Sequence, residues 1–534
     1  MNQHNVHLLD LPNEILFLIL KKLDNIDVLY SLWDINNQRL HIIAQEQIFT
    51  NILNFVSISQ STDEISSTIL NRFCISILPR IHKNVKSLIV DSNSMECILR
   101  AGNYPNLTEL KLFNFNKAIV SRYFMGKIFM TLFGHICKQQ ITNLILIINE
   151  NNIEIQKAAY TKNVYVVILA FFKNLKHLTI VESSSIDNYP RLSSYDLSPT
   201  TFSSSTLTKL CINVNSFDDV HALLDGRLKQ LITLIVQVYS IHDQIPTSYK
   251  RNDLPNLKCF SLTCNRSFQG FDNLIVRLLH RMIHLEELTL YLHIFGGSKF
   301  IAGTHLNNEI LIRMPQLHTF IFYIASDNPI ADPTIRVSND DIQRTFTNIE
   351  HRQVAFMVDY FEPYNMICRV FSLPFKFHLL ERIGNNIPNI VFNSVTHLKL
   401  WDKDAFKYEF FVRLARAFPF LKNLSIHNFI PPFLADDYHL RDKDWLSIIE
   451  YPHLISLDVE LAYSDYGENF LNETKAYIPH LAELKVTYFA LEIMTKNFTR
   501  NETRRNCAGV RQLIIEGLTV YPKDVYCYFP LLSV

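Results

Sequence analysis

The sequence predicts an α/β protein that begins with a short helical unit and continues as a solenoid of strand–helix repeats. One observation is a pattern, apolar-x-x-apolar-x-apolar, that recurs at fourteen places with Leu in the middle at twelve of them. The second is its spacing: the first and last copies start 425 residues apart, and with the one long interval counted as three units the average unit is about 28 residues, a period typical of solenoids. The third is a stripe of apolar residues at helical spacing near the N-terminus.

The N-terminal stripe predicts a compact helical unit over residues 8–54. Leu11, Ile15 and Ile19 recur at helical spacing, and Pro12 fits a first turn, where its missing N–H costs nothing. Two further short helices follow, the last capped by Asn36 or Asn37. A unit this small buries little surface by itself, so we expect it to pack on a neighbour or a partner.

Each repeat predicts one strand. The last two apolar positions lie two residues apart, so their side chains point to the same side of a strand. Between strands, segments such as 272–283 have helical periodicity, and in six repeats a Pro stands two residues before the first apolar position, where it ends a helix. The copies start at Val85, Leu107, Ile141, Leu175, Leu207, Leu231, Leu257, Leu285, Leu317, Val395, Leu421, Leu454, Leu481 and Val510.

One interval, from Leu317 to Val395, is 78 residues long and equals three units of 26. We therefore expect two degenerate repeats within an irregular stretch, 323–394, with residues 353–358 as one candidate. The predicted organisation is a helical domain over 8–54, a helical linker or N-terminal cap over 55–84, and a solenoid of 14–16 repeats over 85–534.

The first fifty residues resemble an F-box. That family's pattern of Leu-Pro-x-Glu-Ile/Leu-Leu followed by apolar residues at helical spacing is matched here, whereas Asp34–Leu40 replaces the basic-Trp motif of many members and retains only Arg39. The resemblance implies binding to a Skp-type adaptor and, through it, to a cullin. It implies these adaptor-binding residues: Leu11, Pro12, Glu14, Ile15, Leu16, Ile19, Leu20, Leu23 and Leu29.

The repeats resemble the leucine-rich repeat family, a β/α horseshoe whose pattern continues with an Asn that forms a ladder between turns. That Asn is matched at Asn93, Asn149, Asn215 and Asn265. An F-box followed by leucine-rich repeats is similar to the substrate-receptor subunits of Skp–cullin–F-box ubiquitin ligases. The resemblance implies a noncatalytic adaptor that binds an unidentified protein substrate.

Composition and motifs narrow the function classes. Lys+Arg and Asp+Glu are 51 each, so no basic surplus favours nucleic acid, and 12 Gly residues in 534 disfavour glycine-rich phosphate loops. The nine cysteines lack zinc-ligand spacing and fit reduced thiols in a cytoplasmic or nuclear protein. The N-terminus lacks signal-peptide features, and no apolar run is long enough to span a membrane. We therefore predict a non-enzyme without cofactor or metal, and without nucleic-acid or membrane partners.

Strand positions between the apolar ones would face solvent on the concave side of a horseshoe. Aromatic residues share one position, directly after the third apolar residue, and acidic residues follow in later repeats. Tyr and Trp are favoured binding anchors, although side chains at this position could instead pack beneath the following loop. The predicted substrate-binding residues are Tyr291, Tyr323, Trp401, His427, Asp458 and Glu460.

A rival function is a structural interaction scaffold, in which the F-box-like helices only cap the first repeat. Solenoids need such caps to cover their terminal apolar face. The absence of the basic-Trp motif favours this alternative slightly.

Overall fold

The structure is a computed structural model, and its described part divides into two compact units. Unit 1 comprises Met1–Phe268, Asp272–Leu288 and Met314–His318, and unit 2 comprises Gln269–Phe271, Thr289–Arg313 and Thr319–Val534. The described residues are 8–56, 64–115, 139–148, 168–182, 203–241, 256–297, 300–329, 339–346, 353–362, 365–432, 447–518 and 520–532.

The N-terminal stretch of unit 1 is helical, as predicted. A 3-10 turn, Leu8–Asp10, precedes α1 (Asn13–Leu20), α2 (Asn25–Leu32), α3 (Gln38–Ala44) and α4 (Gln47–Thr50). Pro12 occupies the N-cap position of α1, and its carbonyl accepts from the Leu16 N–H at 3.0 Å. Asn37 caps α3 by accepting from the Leu40 N–H at 3.2 Å.

Arg39 of α3 ties the beginning of α1 in place. Its guanidinium donates to the Leu9 carbonyl at 2.9 Å, to the Leu11 carbonyl, and to the Asn13 side chain. These carbonyls lie just before the helix, so one charged fork fixes where the chain enters α1. Arg39 therefore has a structural role within the helical unit.

Among its described residues, unit 1 contains eight strands that pair in parallel, in chain order. Their register aligns the middle apolar residue of each predicted repeat, so that Leu88 faces Leu110 and Leu110 faces Leu144. The strands are β1 (Ile52–Asn54), β2 (Ser87–Asp91), β3 (Glu109–Phe113), β4 (Asn143–Ile148), β5 (His177–Glu182), β6 (Lys209–Ser216), β7 (Thr233–Ser240) and β8 (Cys259–Phe268).

Helical segments connect several of these strands. Ser216 and Asp219 form a capping box at the start of the helix Phe217–Leu223, which explains why the chain leaves β6 there. The helices of unit 1 after α4 are Glu64–Arg72, the π-helix Phe73–Ile77, Leu78–Ile81, Met95–Arg100, Phe217–Leu223, the π-helix Asp272–Val276 and Arg277–Leu279.

Unit 2 contains a second parallel sheet in the order β13-β14-β15-β17-β19-β20, again aligned on the middle leucines. Its remaining strands follow the order β9-β10-β12-β11, apart from a separate pair of β16 and β18. The strands are β9 (Glu287–Phe295, in this unit from Thr289), β10 (Thr319–Pro329), β11 (Val354–Glu362), β12 (Asn365–Ser372), β13 (Leu379–Ile383), β14 (His397–Trp401), β15 (Asn423–His427), β16 (Ile449–Glu450), β17 (Ser456–Asp458), β18 (Ala476–Tyr477), β19 (Glu483–Lys485) and β20 (Gln512–Ile514).

Helices of unit 2 lie between these strands. The amphipathic helix Tyr408–Ala417 is the longest among the described residues and buries Phe410, Phe411 and Leu414. The helices are Gly303–Leu306, the π-helix Asn307–Leu311, Asn339–Thr345, Tyr408–Ala417, Ser464–Leu471, Tyr488–Thr495, Arg504–Cys507 and Lys523–Tyr528.

Several sequence expectations can be compared with this architecture. The α/β class is confirmed, with a large, mostly parallel sheet. The five repeat prolines among the described residues, Pro105, Pro315, Pro419, Pro452 and Pro479, each lie in a turn four residues before a strand. The first three follow a helical segment, as expected for residues that end a helix. That expectation is wrong for the last two, which follow the short strands β16 and β18.

The expectation of a degenerate parallel repeat at 353–358 is wrong. These residues belong to β11, which pairs antiparallel with β12, and β12 pairs antiparallel with β10. Only two residues separate β11 from β12, whereas a parallel return requires a crossover of a dozen or more.

The expected asparagine ladder also differs from the structure. Asn93 and Asn215 are exposed rather than stacked inside, and Asn149 lies outside the described residues. Asn215 and Asn265 sit within β6 and β8, which continue past the predicted turn, so their side chains follow strand rather than turn geometry.

The alignment of middle leucines predicts a large stability cost when one is truncated. Leu457 of β17 is fully buried and faces Leu424 and Leu484 on its neighbouring strands. Leu457→Ala should lower the free energy of unfolding by about 2–5 kcal/mol, because it removes buried methyl groups and leaves a cavity. Ile455→Ala, two residues away and 41% exposed, should cost within about 0.5 kcal/mol. Urea denaturation measures both, and equal costs would contradict the burial pattern.

Candidate functional site

The N-terminal helical unit exposes an unusual number of apolar side chains, which we name the N-terminal apolar surface. Ile15, Leu18 and Ile19 lie on one face of α1, because residues three and four apart are neighbours on a helix. Its members, all between 37% and 58% exposed, are Leu9, Ile15, Leu18, Ile19, Leu23, Ile35, Ile42, Ile48 and Ile52. Exposed apolar residues that adjoin one another can form a binding surface, whereas single scattered ones are ordinary.

The opposite face of α1 is buried. Leu16 and Leu20 are 0% and 6% exposed and pack with Val28, Leu40 and Phe49 in a small core. Helix α1 therefore has two apolar faces, one that folds the unit and one that faces solvent.

The nine predicted adaptor-binding residues fall into an exposed group and a buried group. Ile15, Ile19 and Leu23 are 42%, 41% and 51% exposed; Pro12 and Glu14 are also exposed, and Leu11 is partly buried. Leu16, Leu20 and Leu29 are core residues instead, so their side chains do not face a partner in this structure. Leu18, at 58%, lies on the exposed face beside Ile15 and Ile19, although the sequence pattern did not single it out.

The helical unit is joined to the first strand of the sheet. Strand β1 follows α4 and pairs in parallel with β2. The Asn25 amide donates to the carbonyls of Ile48 at 3.1 Å and Ile52 at 2.8 Å, and Arg72 donates to the Trp33 carbonyl at 2.7 Å. These contacts hold the helices in a defined position within unit 1.

Two of the predicted substrate-binding aromatics are buried. Tyr291 and Tyr323 are 2% and 0% exposed, stack with ring centroids 4.7 Å apart, and are covered by Phe375 and Phe377. Burial raises the pKa of Tyr323 to about 12 and also raises the pKa of Tyr291 well above its usual value. The expectation that they face solvent is wrong, because the segment after β12 folds over them.

The other four predicted residues remain partly exposed in unit 2. Trp401 and His427 face each other in register on β14 and β15, with ring centroids 6.5 Å apart. The indole of Trp401 stacks on the Phe361 ring at 4.5 Å, and the Arg382 guanidinium lies 4.6 Å from the indole and 5.6 Å from the Phe361 ring. Trp401 is thus partly engaged by its neighbours.

Next to these aromatics lies a group of acidic side chains. Lys485 binds Glu460 at 2.6 Å and approaches Asp458 at 3.8 Å, and the Glu460 contact chiefly raises the pKa of Lys485. The Ser456 hydroxyl donates to Glu483 at 2.7 Å. Asp458 and Glu460 beside Lys485, together with Glu483 on the same strand as Lys485, make three carboxylates for one ammonium, so this group carries a net negative charge.

Exposed apolar residues border the same strands, and we name them the C-terminal rim. Phe429 and Ile430 follow β15, Leu461 follows β17, and Phe489 follows β19, with exposures of 61%, 46%, 47% and 72%. Parallel strands end at the same edge, so the rim runs along one edge of this sheet. The Phe429 ring lies 5.3 Å from that of His427. Sequence reasoning missed the rim because it considered strand positions and left out the loops that follow them.

A buried polar cluster lies behind the tyrosines. Arg369 and Asp359, 1% and 2% exposed, form an ion pair at 2.7 Å between β12 and β11. Four buried atoms of this cluster have no hydrogen-bond partner. Two belong to the pair itself, Asp359 Oδ1 and Arg369 Nε, and the other two are His293 Nε2 and Tyr323 Oη. Burial raises the pKa of Asp359 and, together with Arg369 and Arg382, lowers the pKa of His293 to about 3.

Across the described ranges, no group of three or more His, Cys, Asp or Glu side chains could hold a metal ion. No helix in the part of the chain that the structure describes is long and apolar enough to cross a membrane. No protein-family model matches the chain, and no curated protein matches it either.

The burial of His293 predicts that the folded protein loses stability in acid. An unfolded histidine binds a proton below about pH 6.5, whereas His293 in the fold does so only near pH 3. Because the unfolded chain binds more protons between these values, the free energy of unfolding falls as pH falls from 6.5 towards 3. Between pH 7 and pH 5, His293 should account for up to about 2 kcal/mol of the fall in the free energy of unfolding of the wild type. His293→Gln should lack this part of the fall.

Urea denaturation at the two pH values measures the effect. His453→Gln, which changes an exposed histidine of the same unit, is the matched control and should retain the wild-type dependence. An unchanged pH dependence in the His293 variant would contradict the assigned pKa.

Proposed function

We propose that this chain is a noncatalytic substrate receptor of a cullin–RING ubiquitin ligase, with an F-box that binds a Skp-type adaptor and repeats that bind a protein substrate. The observation that carries the proposal is the N-terminal apolar surface on a unit that begins with the Leu11-Pro12 pattern. An apolar face left in water on a folded unit costs solubility, and partner binding offsets that cost.

The two-sided α1 supports this proposal. Leu16 and Leu20 hold the helix to its own unit, while Ile15, Leu18 and Ile19 are free for another chain. A second helix or groove of an adaptor would meet them at the spacing that helix-in-groove recognition uses. Arg39 fixes the entry to α1, so the face is presented without reorganisation on binding.

The substrate surface would lie on the second parallel sheet of unit 2. Trp401 and His427, the acidic group and the C-terminal rim lie on or beside β14, β15, β17 and β19. Aromatic anchors beside carboxylates favour a substrate segment that carries both apolar and basic side chains. The receptor would act by proximity, since holding the substrate raises the effective concentration of its lysines near the charged conjugating enzyme.

One observation favours the second candidate, a structural scaffold without adaptor binding. Strand β1 leads directly from α4 into the sheet, and Asn25 binds the backbone on both sides of the junction. A helical cap would make these same contacts. The two candidates differ in whether the exposed face of α1 has a partner.

Changing the exposed face of α1 discriminates the candidates. Ile15→Glu with Ile19→Glu should weaken binding to a Skp-type adaptor by about 30-fold or more, because two interface anchors become charged. The free energy of unfolding should change little, since both side chains already face water. Titration of purified chain with adaptor measures the affinity.

The matched control is Ile232→Glu with Ile283→Glu, two isoleucines of unit 1 with exposures of 40% and 44% against 42% and 41%. It should bind the adaptor like wild type. Wild-type protein that does not bind, or an α1 variant that binds equally well, would favour the scaffold.

The substrate surface makes a separate prediction. Trp401→Ala with Phe429→Ala should reduce substrate retention by about 30-fold or more and leave adaptor binding unchanged, because the changes remove two anchors from another surface. Phe420→Ala, 46% exposed and located before β15 rather than after it, is the control.

The measurement is quantitative recovery of proteins whose ubiquitylation depends on this chain. Full recovery with the double variant would place recognition away from these aromatics.

A further inference from the structure

Two thiols face each other on neighbouring helices of unit 1. Cys74 belongs to the π-helix Phe73–Ile77 and Cys97 to the helix Met95–Arg100. Their Sγ atoms are 2.7 Å apart, and both cysteines are free and partly exposed. A disulfide bond is about 2.0 Å long, so the two sulfurs need to approach by only about 0.7 Å more.

The pair is accessible from solvent. An open cavity of about 520 Å³ is lined by Cys74 and Cys97 together with Asn93, Glu96, Arg100 and Ala101. A small reagent can therefore reach either sulfur without unfolding the surrounding helices. Arg100 and Glu96 form an ion pair at 2.6 Å on the wall of this cavity.

Buried neighbours hold the two helices in this relation. Phe73, next to Cys74, is fully buried and packs edge-on against Phe55 at 5.3 Å. Ile98, next to Cys97, is also fully buried, and its carbonyl accepts from the Tyr104 hydroxyl at 2.5 Å. The approach of the thiols is thus set by the core on both sides and does not rely on loose surface side chains.

We propose that Cys74 and Cys97 form a reversible intramolecular disulfide when the chain meets a small-molecule disulfide such as oxidised glutathione. Cys97 loses its proton to solvent and attacks one sulfur of the reagent, forming a mixed disulfide and expelling one thiolate. Cys74 then loses its proton and attacks Cys97 Sγ, expelling the second thiolate. Two protein thiols are oxidised, and one small disulfide is reduced to two thiols.

This order of attack follows from the surroundings of Cys74. Burial, followed by the neighbouring Cys97 sulfur, raises the pKa of the Cys74 thiol. A thiol with a raised pKa is a slow nucleophile towards a reagent in solution, since little thiolate is present. Once Cys97 carries the mixed disulfide, its sulfur lies next to the Cys74 thiol. This proximity compensates for the small fraction of Cys74 that is present as thiolate.

The disulfide bond would stabilise this part of unit 1 against unfolding. It encloses residues 75–96 and links the Met95–Arg100 helix to the π-helix that directly follows Arg72. Arg72 donates to the Trp33 carbonyl of the helical unit, and the Phe73 ring stacks on Tyr30 at 6.3 Å. Closing such a loop constrains the unfolded chain, so the oxidised protein should unfold at a higher temperature.

The test uses the full chain incubated with oxidised glutathione, followed by alkylation of remaining thiols with iodoacetamide and tryptic mass mapping. Residues 73–80 and 87–100 are predicted tryptic peptides that carry one cysteine each. We expect these two peptides to appear as one linked species lighter by two hydrogens, with loss of alkylation at both cysteines and full reversal by dithiothreitol.

Two variants separate the steps. Cys74→Ser should stop at a persistent mixed disulfide of glutathione on Cys97, and Cys97→Ser should give no linked peptide. Cys527→Ser, which removes an exposed cysteine elsewhere, should form the bond like wild type. Wild-type chain that remains a dithiol, stops at a mixed disulfide, or links either cysteine to another one would overturn the proposal.

Discussion

The structure depends on the parallel pairing of successive strands in a register that aligns the middle apolar residue of each repeat. Leu88, Leu144 and Leu234 of unit 1 are fully buried, as are Leu457 and Leu484 of unit 2. No single repeat can cover its own apolar side chains, so each strand is stabilised by the two beside it. The same register places the alternate side chains in rows on the opposite face, which is why Trp401 meets His427 and Asp458 meets Lys485.

The antiparallel pair β11 and β12 interrupts this regularity and determines the chemistry around it. It brings Arg369 and Asp359 together in the interior, and the segment that leaves it covers Tyr291 and Tyr323. A buried ion pair contributes little net stability but is costly to break, so this cluster tolerates change poorly. The exposed strand face of unit 2 therefore lies after the interruption, on β14 and the strands that follow.

The N-terminal unit and the second sheet of unit 2 present different kinds of surface. The first is apolar and rests on short helices whose small core is just large enough to hold them. The second combines partly engaged aromatics with an excess of carboxylates. The proposed receptor role requires two such surfaces with separate partners, and a change in one leaves the other intact when no side chain is shared.

The sequence by itself determined the α/β class, the position of most strands, the turn prolines and the helical N-terminus, because these follow from local periodicity and from the backbone limits of Pro. It also located Ile15, Ile19, Trp401 and His427, which the structure leaves accessible. Tertiary structure alone decided that Leu16 folds α1 while Leu18 faces solvent, that Tyr323 is covered, and that Cys74 meets Cys97. Each of these depends on a segment distant in the chain, and side-chain burial is a property of what packs on a strand or helix rather than of its own pattern.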